Sequence, residues 1–251
     1  IVGTVSRSSI SFGSEAVFES DDSRVVAIGF DSSNNKVVIA FRDHNDSKYG
    51  KAVVGTVSST SISFGSVTTF ESAQTSDHNV VFDSSNNKIV ICYSDVGNSF
   101  YPTAIVGTVS GTSISFGTAV VADSNAATSV AATFDSNSNK VVMGLGTSST
   151  GAGIVGSMFG ASFDTSTNKV GITFVDGGNS DIGTLVIGTV SGTDISFTSE
   201  VAFETAAIIG GGTVFDSNAN RIVVSYRTTS DNYGKAVAFT GGAVTNLTSE
   251  N

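Results

Sequence analysis

One short motif, repeated at near-constant intervals, constrains this chain more than anything else in it. FDSSNNK stands at residues 30–36 and again at 82–88, and FDSNSNK, FDTSTNK and FDSNANR follow from Phe134, Phe163 and Phe215. The steps from Phe30 to Phe82, Phe134, Phe163 and Phe215 are 52, 52, 29 and 52 residues. Self-similarity of this period marks a repeat architecture, in which each unit buries its apolar faces against its neighbours. One repeat is 23 residues shorter than the rest. A second motif travels with the first: VGTVSRSSISFGS from Val2, VGTVSSTSISFGS from Val54, VGTVSGTSISFGT from Val106 and IGTVSGTDISFTS from Ile187. The short repeat keeps only IVGSMFG from Ile154.

Each full period holds four short apolar runs, named here A to D by position in the repeat. In one period they are VVAIGF (25–30), KVVIAF (36–41), KAVVGTV (51–57) and SISFGSVTTF (61–70). Val, Ile, Phe and Thr dominate them, Gly, Asn, Asp and Ser separate them, and no sustained 3.6-residue period appears, so all four read as strands. Four antiparallel strands every fifty residues or so is the length of a β-propeller blade. Position B is apolar throughout, as for a strand covered on both faces. Position D alternates Ser-Ile-Ser-Phe, which suits an outer strand. Position A carries small residues, including Gly210, Gly211 and Gly212, as a crowded centre requires.

The expected fold is therefore all-β: one propeller over 1–251 with five blades of four strands, one of them truncated. The chain opens with a C and D pair (2–18) and ends after a C-like run, KAVAFT (235–240). A last blade built from 211–240 can borrow its outer strand from 10–18, closing the ring and removing sheet edges. Residues 153–163 have to end one blade and begin the next. A splayed ring or a stacked solenoid stays open as an alternative.

Composition narrows the function classes. With 39% hydrophobic residues, 28 Gly, one Pro and no Trp, the chain is long enough to bury a sizeable core. Twelve basic against 22 acidic residues give a net charge of −10, which repels phosphate backbones and anionic lipid, so neither nucleic acid nor membrane is an expected partner. Cys92 is the single cysteine, so no internal disulfide forms, and its place in KIVICY (88–93) reads as core packing. No apolar run reaches membrane-spanning length, and a targeting segment at the start is expected to be absent or already removed.

The repeated FDSSNNK has the chemistry of a tight A-to-B turn. Asp bonds the backbone two residues on, and Asn accepts the left-handed conformation that closes the turn. Calcium is the sharper alternative, since DSNSN from Asp135 sets oxygen side chains at alternate positions. No glycine or downstream bidentate Glu completes a known loop, and no cofactor is expected.

In a four-stranded meander the A-to-B and C-to-D turns lie on one face, and the B-to-C and D-to-A connections on the other. The first face repeats; the second varies. Its B-to-C loops read RDHNDSKYG (42–50), SDVGNSFYP (94–102), GTSSTGAG (146–153), VDGGNSDIG (175–183) and RTTSDNYG (227–234). A rigid scaffold usually displays recognition on such loops. The candidate binding residues are Arg42, Asp43, His44, Tyr49, Asp95, Tyr101, Asp176, Arg227 and Tyr233, joined by His78 on the D-to-A loop. An aromatic ring to stack on a sugar, flanked by groups that bond hydroxyls, suits a glycan. Ordinary solvated surface is the competing reading for each residue taken singly. Asp43, Asp95 and Asp176 occupy equivalent positions in three repeats, which favours a repeated role over a unique catalytic pair. The two histidines, His44 and His78, sit in no metal or triad spacing, so the chain is not expected to be an enzyme.

FDSSNNKVVIAFRD followed by AVVGTVSSTSISFGS resembles tandem repeats in largely uncharacterised proteins of tailed bacteriophages, particularly marine cyanophages, and of environmental sequences, many of them tail-fibre-like. The resemblance spans nearly the whole chain, and AVTNLTSEN (243–251) is similar to the lead-in to a further C-terminal region. It implies a virion-surface or extracellular adhesive protein that binds a host-surface glycan or protein. A virion spacer docking to other subunits, or a glycan-cleaving hydrolase on the same scaffold, are the alternatives.

Overall fold

The computed structural model describes residues 1–147 and 154–239, and these are all-β, with antiparallel sheets. The loop residues 148–153 and the terminal stretch 243–251 named above lie outside the described residues. Two compact units emerge, Ile1–Ser99 with Thr103–Ala122, and Phe100–Pro102 with Asp123–Asn251.

The first unit opens with a hairpin, β1 (Gly3–Ser6) and β2 (Ser9–Phe12). There follow β3 (Ser23–Asp31), β4 (Lys36–Asp43), β5 (Tyr49–Ser58), β6 (Ser61–Phe64), β7 (Thr68–Asp83), β8 (Lys88–Asp95), β9 (Tyr101–Ser110), β10 (Ser113–Phe116) and β11 (Val120–Val121). They form one sheet in the order β3-β4-β5-β7-β8-β9-β10, with β6 beside β5 and β11 beside β9. The second unit holds β12 (Ser129–Asp135), β13 (Lys140–Thr147), β14 (Ile154–Asp164), β15 (Lys169–Asp176), β16 (Ile182–Ser191), β17 (Asp194–Phe197), β18 (Val201–Asp216), β19 (Arg221–Thr228) and β20 (Gly234–Phe239). Their order is β12-β13-β14-β15-β16-β18-β19-β20, with β17 beside β16.

The repeated turn forms as its residues require. Asp31, Asp83, Asp135, Asp164 and Asp216 each accept hydrogen bonds from the backbone N–H groups two and three residues on. Asn35, Asn87, Asn139, Asn168 and Asn220 all lie in the left-handed region, with φ of 53–58°. The basic residue that follows ties the hairpin to the next strand: Lys36, Lys88 and Lys169 donate to Thr56, Thr108 and Thr189.

Position D departs from expectation. The run 61–70 is two strands: β6 pairs with Gly55–Ser58 of β5, and β7 begins at Thr68 beside Tyr49–Ala52. β7 then continues without a loop, and its second half pairs with β8. The D-to-A connection is therefore one 16-residue strand whose hydrogen bonds pass from one neighbour to the next, so no loop is needed there. β18 repeats this arrangement between β16 and β19. Four of the five A stretches are interrupted by a bulge, between Arg24/Ala27, Ser76/Asn79, Met158/Gly160 and Ile209/Gly211, while β12 pairs with β13 in unbroken register. Val25, Asp77 and Gly210 stand at the same place in three of these bulges, with φ of 53°, 50° and 48°.

In the truncated repeat, the hairpin β12–β13 has no C or D strand among the described residues. Ile154 and Val155 of β14 run parallel to Gly146 and Thr147, and the rest of β14 pairs antiparallel with β15. One segment thus ends a repeat and opens the next, as the sequence spacing demands. The expected closing strand is not formed: β2 pairs with β1 and β20 with β19, and neither has a further strand partner among the described residues. The 2–14 motif satisfies its own hydrogen bonds in a local hairpin, as its copies do in β5–β6, β9–β10 and β16–β17.

Candidate functional site

The strand registers place the variable connections at one end of the hairpins. Ser23 lies opposite Asp43, Thr75 opposite Asp95 and Ile208 opposite Thr228, so the close of each B strand meets the junction where D passes into A. The repeated Asp-Asn turns close the other end. Position B residues therefore rise beside the bulge of position A, and a polar cluster in the first unit grows from that adjacency.

Arg42, on β4, lies between Arg24 of β3 and Gly50 of β5. Its Nη1 donates to the Thr75 carbonyl at 3.1 Å, which anchors the guanidinium to the bulge of β7. His44 follows β4, and its backbone N–H donates to the Asp22 carbonyl at 2.9 Å. His78 is buried in that same bulge, with Nε2 2.8 Å from the Thr75 hydroxyl and its ring edge-on to Phe70 at 5.5 Å. The sequence-expected loop at His78 is therefore a strand bulge, held because Thr75–Asp83 pairs with β8 on either side of it.

Four buried side-chain polar atoms have no partner in good hydrogen-bond geometry among the described residues, and three belong here: Arg42 Nε, His44 Nδ1 and His78 Nδ1, the last with the Val25 backbone near enough to perturb its ring. Buried polar groups are normally satisfied, so three in one cluster mark a place where a ligand can complete the bonding. Two carboxylates border it. The guanidinium of Arg24, bonded to Asp22, holds that carboxyl below its usual range, with His44 and Arg42 adding to the pull. Burial pushes the Asp77 carboxyl up, against a bond from Ser76 and the charge of Arg42. Burial pushes the His78 imidazole down to about 4, with the charge of Arg42 adding to the shift and a hydrogen bond with the Val25 backbone opposing it, so His78 stays neutral at pH 7 and its ring nitrogens donate or accept according to tautomer.

The remaining candidates distribute differently. Tyr49 is half-buried at the start of β5, opposite Gln74 of β7, one residue from Thr75. Asp43 is buried: it accepts N–H bonds from Asn45 and Asp46 and pairs with Lys51 at 2.8 Å. Burial opposes ionisation of Asp43, but the Lys51 bond and charge together with the Asp46 and Asn45 N–H bonds outweigh it, and its pKa is lowered. Asp95 caps the short 3-10 turn Val96–Asn98, and burial, then repulsion from Glu71, pushes its carboxyl up. Asp176 accepts from the Gly178 N–H. These three aspartates each accept hydrogen bonds from the backbone of their own loops. The physical reason is the one behind the Asp-Asn turns: a short acidic side chain reaches the N–H groups two or three residues on first.

Tyr101 opens β9, and Asp176, Arg227 and Tyr233 belong to the second unit. Arg227 donates to Asn232 at 3.2 Å and, with Gly210, Tyr226 and Lys235, lines an open depression of ≈ 490 Å³. Tyr233 is 69% exposed. Sequence reasoning passed over Asp22, Thr75 and Asp77, which join the cluster, and a repeated pair, Tyr93 with Glu71 at 2.9 Å and Tyr226 with Glu204 at 3.3 Å. The signal for the pair was the recurring FES and FET at 70–72 and 203–205.

No family model matches this chain, and no curated protein matches it. Among solved structures it is similar to an exo-β-1,3-galactanase from Phanerochaete chrysosporium crystallised with β-1,3-galactotriose, at 10% identity and a TM-score of 0.48, over 90% of this chain and 49% of the other. It is also similar to a chain of the mitotic checkpoint complex, at 11% identity and 0.49, over 92% and 81%, and to AofleA from Arthrobotrys oligospora, at 8% and 0.38, over 91% and 86%. The chain thus spans about half the length of the galactanase. At these scores and identities the likenesses assign neither a fold nor a function to it.

Proposed function

We propose that this chain is a non-enzymatic recognition module whose four-position repeats are propeller-type blades, and that the Arg42, His44 and His78 cluster is a binding site for a polar, hydroxyl-rich ligand, a host-surface glycan. The observation that carries this reading is the gathering of three of the four unpartnered buried polar atoms into one cluster beside a strand bulge. Arg42 Nε donates, the imidazole nitrogens of His44 and His78 donate or accept according to tautomer, Asp22 and Asp77 accept, and Tyr49 at the rim offers a ring to a sugar face. The resemblance to tail-fibre-like phage repeats supports a virion-surface or extracellular setting, with the acidic balance favouring neutral or cationic partners over nucleic acid.

A glycan array with the purified chain tests the proposal. A defined set of glycans should bind, and Arg42→Lys, which keeps the charge but removes the planar Nε–H, should weaken binding by about tenfold or more while the melting temperature holds. No glycan binding together with stable assembly onto other virion subunits would replace recognition with a spacer role. Release of reducing ends from host polysaccharide would replace it with hydrolysis.

A further inference from the structure

The truncated repeat leaves β13 unlike the other B strands. β4, β8, β15 and β19 are each paired along both edges, by an A strand and a C strand. β13 is paired by β12 along one edge, but along the other only at Gly146 and Thr147, by β14. The edge at 141–145 faces no strand among the described residues, and an unpaired edge is a template for another strand.

The complete repeats show what covers that ground. In the first unit β5 runs along β4 with Val54 opposite Val38 and Ala52 opposite Ala40, and these four pack in one buried cluster with Ile91, Ile105, Val109 and Ile114 of the following repeat. Gly65, just past β6, abuts the Thr112 carbonyl of that following repeat so closely that a Cβ would overlap it. In the second unit the same following face is present as Ile172, Val186, Val190 and Ile195, with Thr193 at its turn, but no C and D strands lie before it. Val190 and Ile195 are half-buried where Val109 and Ile114 are buried, and Phe197 is 49% exposed where Phe116 is half-buried. Two open cavities follow the vacant edge. One, ≈ 330 Å³, is lined by Met143, Leu145, Met158, Ile172, Val186 and Phe197; the other, ≈ 240 Å³, by Lys140, Val142, Met143, Val190, Thr193 and Ile195.

We infer that the free edge of β13 and this apolar groove accept a β-hairpin from another polypeptide, one with the chemistry of this chain's own C and D strands: few charges, with small and β-branched residues on one face. Its first strand pairs antiparallel with 141–145, as β5 pairs with β4, and its alternate side chains fill the groove as Ala52 and Val54 do. Main-chain bonds then supply affinity and the groove supplies selectivity. The site is separate from the Arg42 cluster and stands or falls independently of it.

The test uses the full chain and a synthetic peptide of residues 51–66, KAVVGTVSSTSISFGS, with a scrambled peptide as control. Saturable one-to-one binding should slow exchange of the alternate amides within 141–145 that point away from β12. Phe197→Asp, at a position already exposed, should weaken binding by about tenfold or more, while Val5→Asp, an exposed apolar position on β1, should leave it unchanged. The inference is overturned if the amides of 141–145 that point away from β12 are already protected in the free chain, if the scrambled peptide binds equally, or if Phe197→Asp has no effect.

Discussion

Asn35 and its four counterparts carry the clearest message at the scale of single residues, because one conformation recurs at every copy of one letter. A left-handed Asn is accepted at small cost, whereas a residue with an ordinary Cβ is strained there by about 1 kcal/mol or more. Asn87→Ala should therefore lower stability by about 1 kcal/mol in urea unfolding, and Asn87→Gly should leave it nearly unchanged. Acid acts on the same turns. Burial works against the charged forms of Asp31 and Asp164, but hydrogen bonds from Ser33 and Asn34, and from Ser166 and Thr167, outweigh it and lower both pKa values. A lowered carboxylate pKa gives stability that is full above the unfolded value, about 4, and is lost as pH falls through the folded one.

His78 behaves in the opposite way to a paired histidine. Its folded pKa is depressed to about 4, so the unfolded chain binds the proton first, and stability should decline as pH falls from about 6.5 towards 4. The unfolding free energy from urea titration at pH 7 and pH 5 should differ by up to about 2 kcal/mol, and His78→Gln should remove most of that difference. Cys92 is fully buried and burial pushes its thiol up to about 12, so it should react with a thiol reagent only as the chain unfolds.

Elements show which part of the pattern could be read in advance. The strands at A, B and C and the turns between A and B follow directly from β-branched runs punctuated by Asp and Asn. The division of D did not, because SISFGSVTTF looks continuous until its two halves are seen against different stretches of β5. His78 was misplaced for the same reason: a run of Ser, Asp, His and Asn reads as a loop, and only pairing with β8 makes it a bulged strand. The glycine that ends SISFG has a role that local pattern cannot reveal. At Gly65 a Cβ would overlap the Thr112 backbone, while at Gly117 the nearest atom is 3.8 Å away, since the next repeat has no C-to-D turn. Gly65→Ala should cost about 1–3 kcal/mol, and Gly117→Ala should lie within about 0.5 kcal/mol of wild type, by urea titration of each.

At the scale of the whole molecule, the sequence by itself determined an all-β repeat protein, its turn chemistry, the site of the truncation, and the end of the hairpins where variation gathers. These follow from interactions within a dozen residues, where propensity and hydrogen-bond reach decide the outcome. Tertiary structure alone decided that D passes into A as one strand, that the candidate aspartates bond their own loops, and that Arg42, His44 and His78 share a bonding deficit. It also decided that the 2–14 motif forms its own hairpin and that β13 keeps an open edge. Each of these depends on which strand lies alongside another, and residues 33 or more apart, such as Arg42 and Thr75, meet only when the sheet has formed.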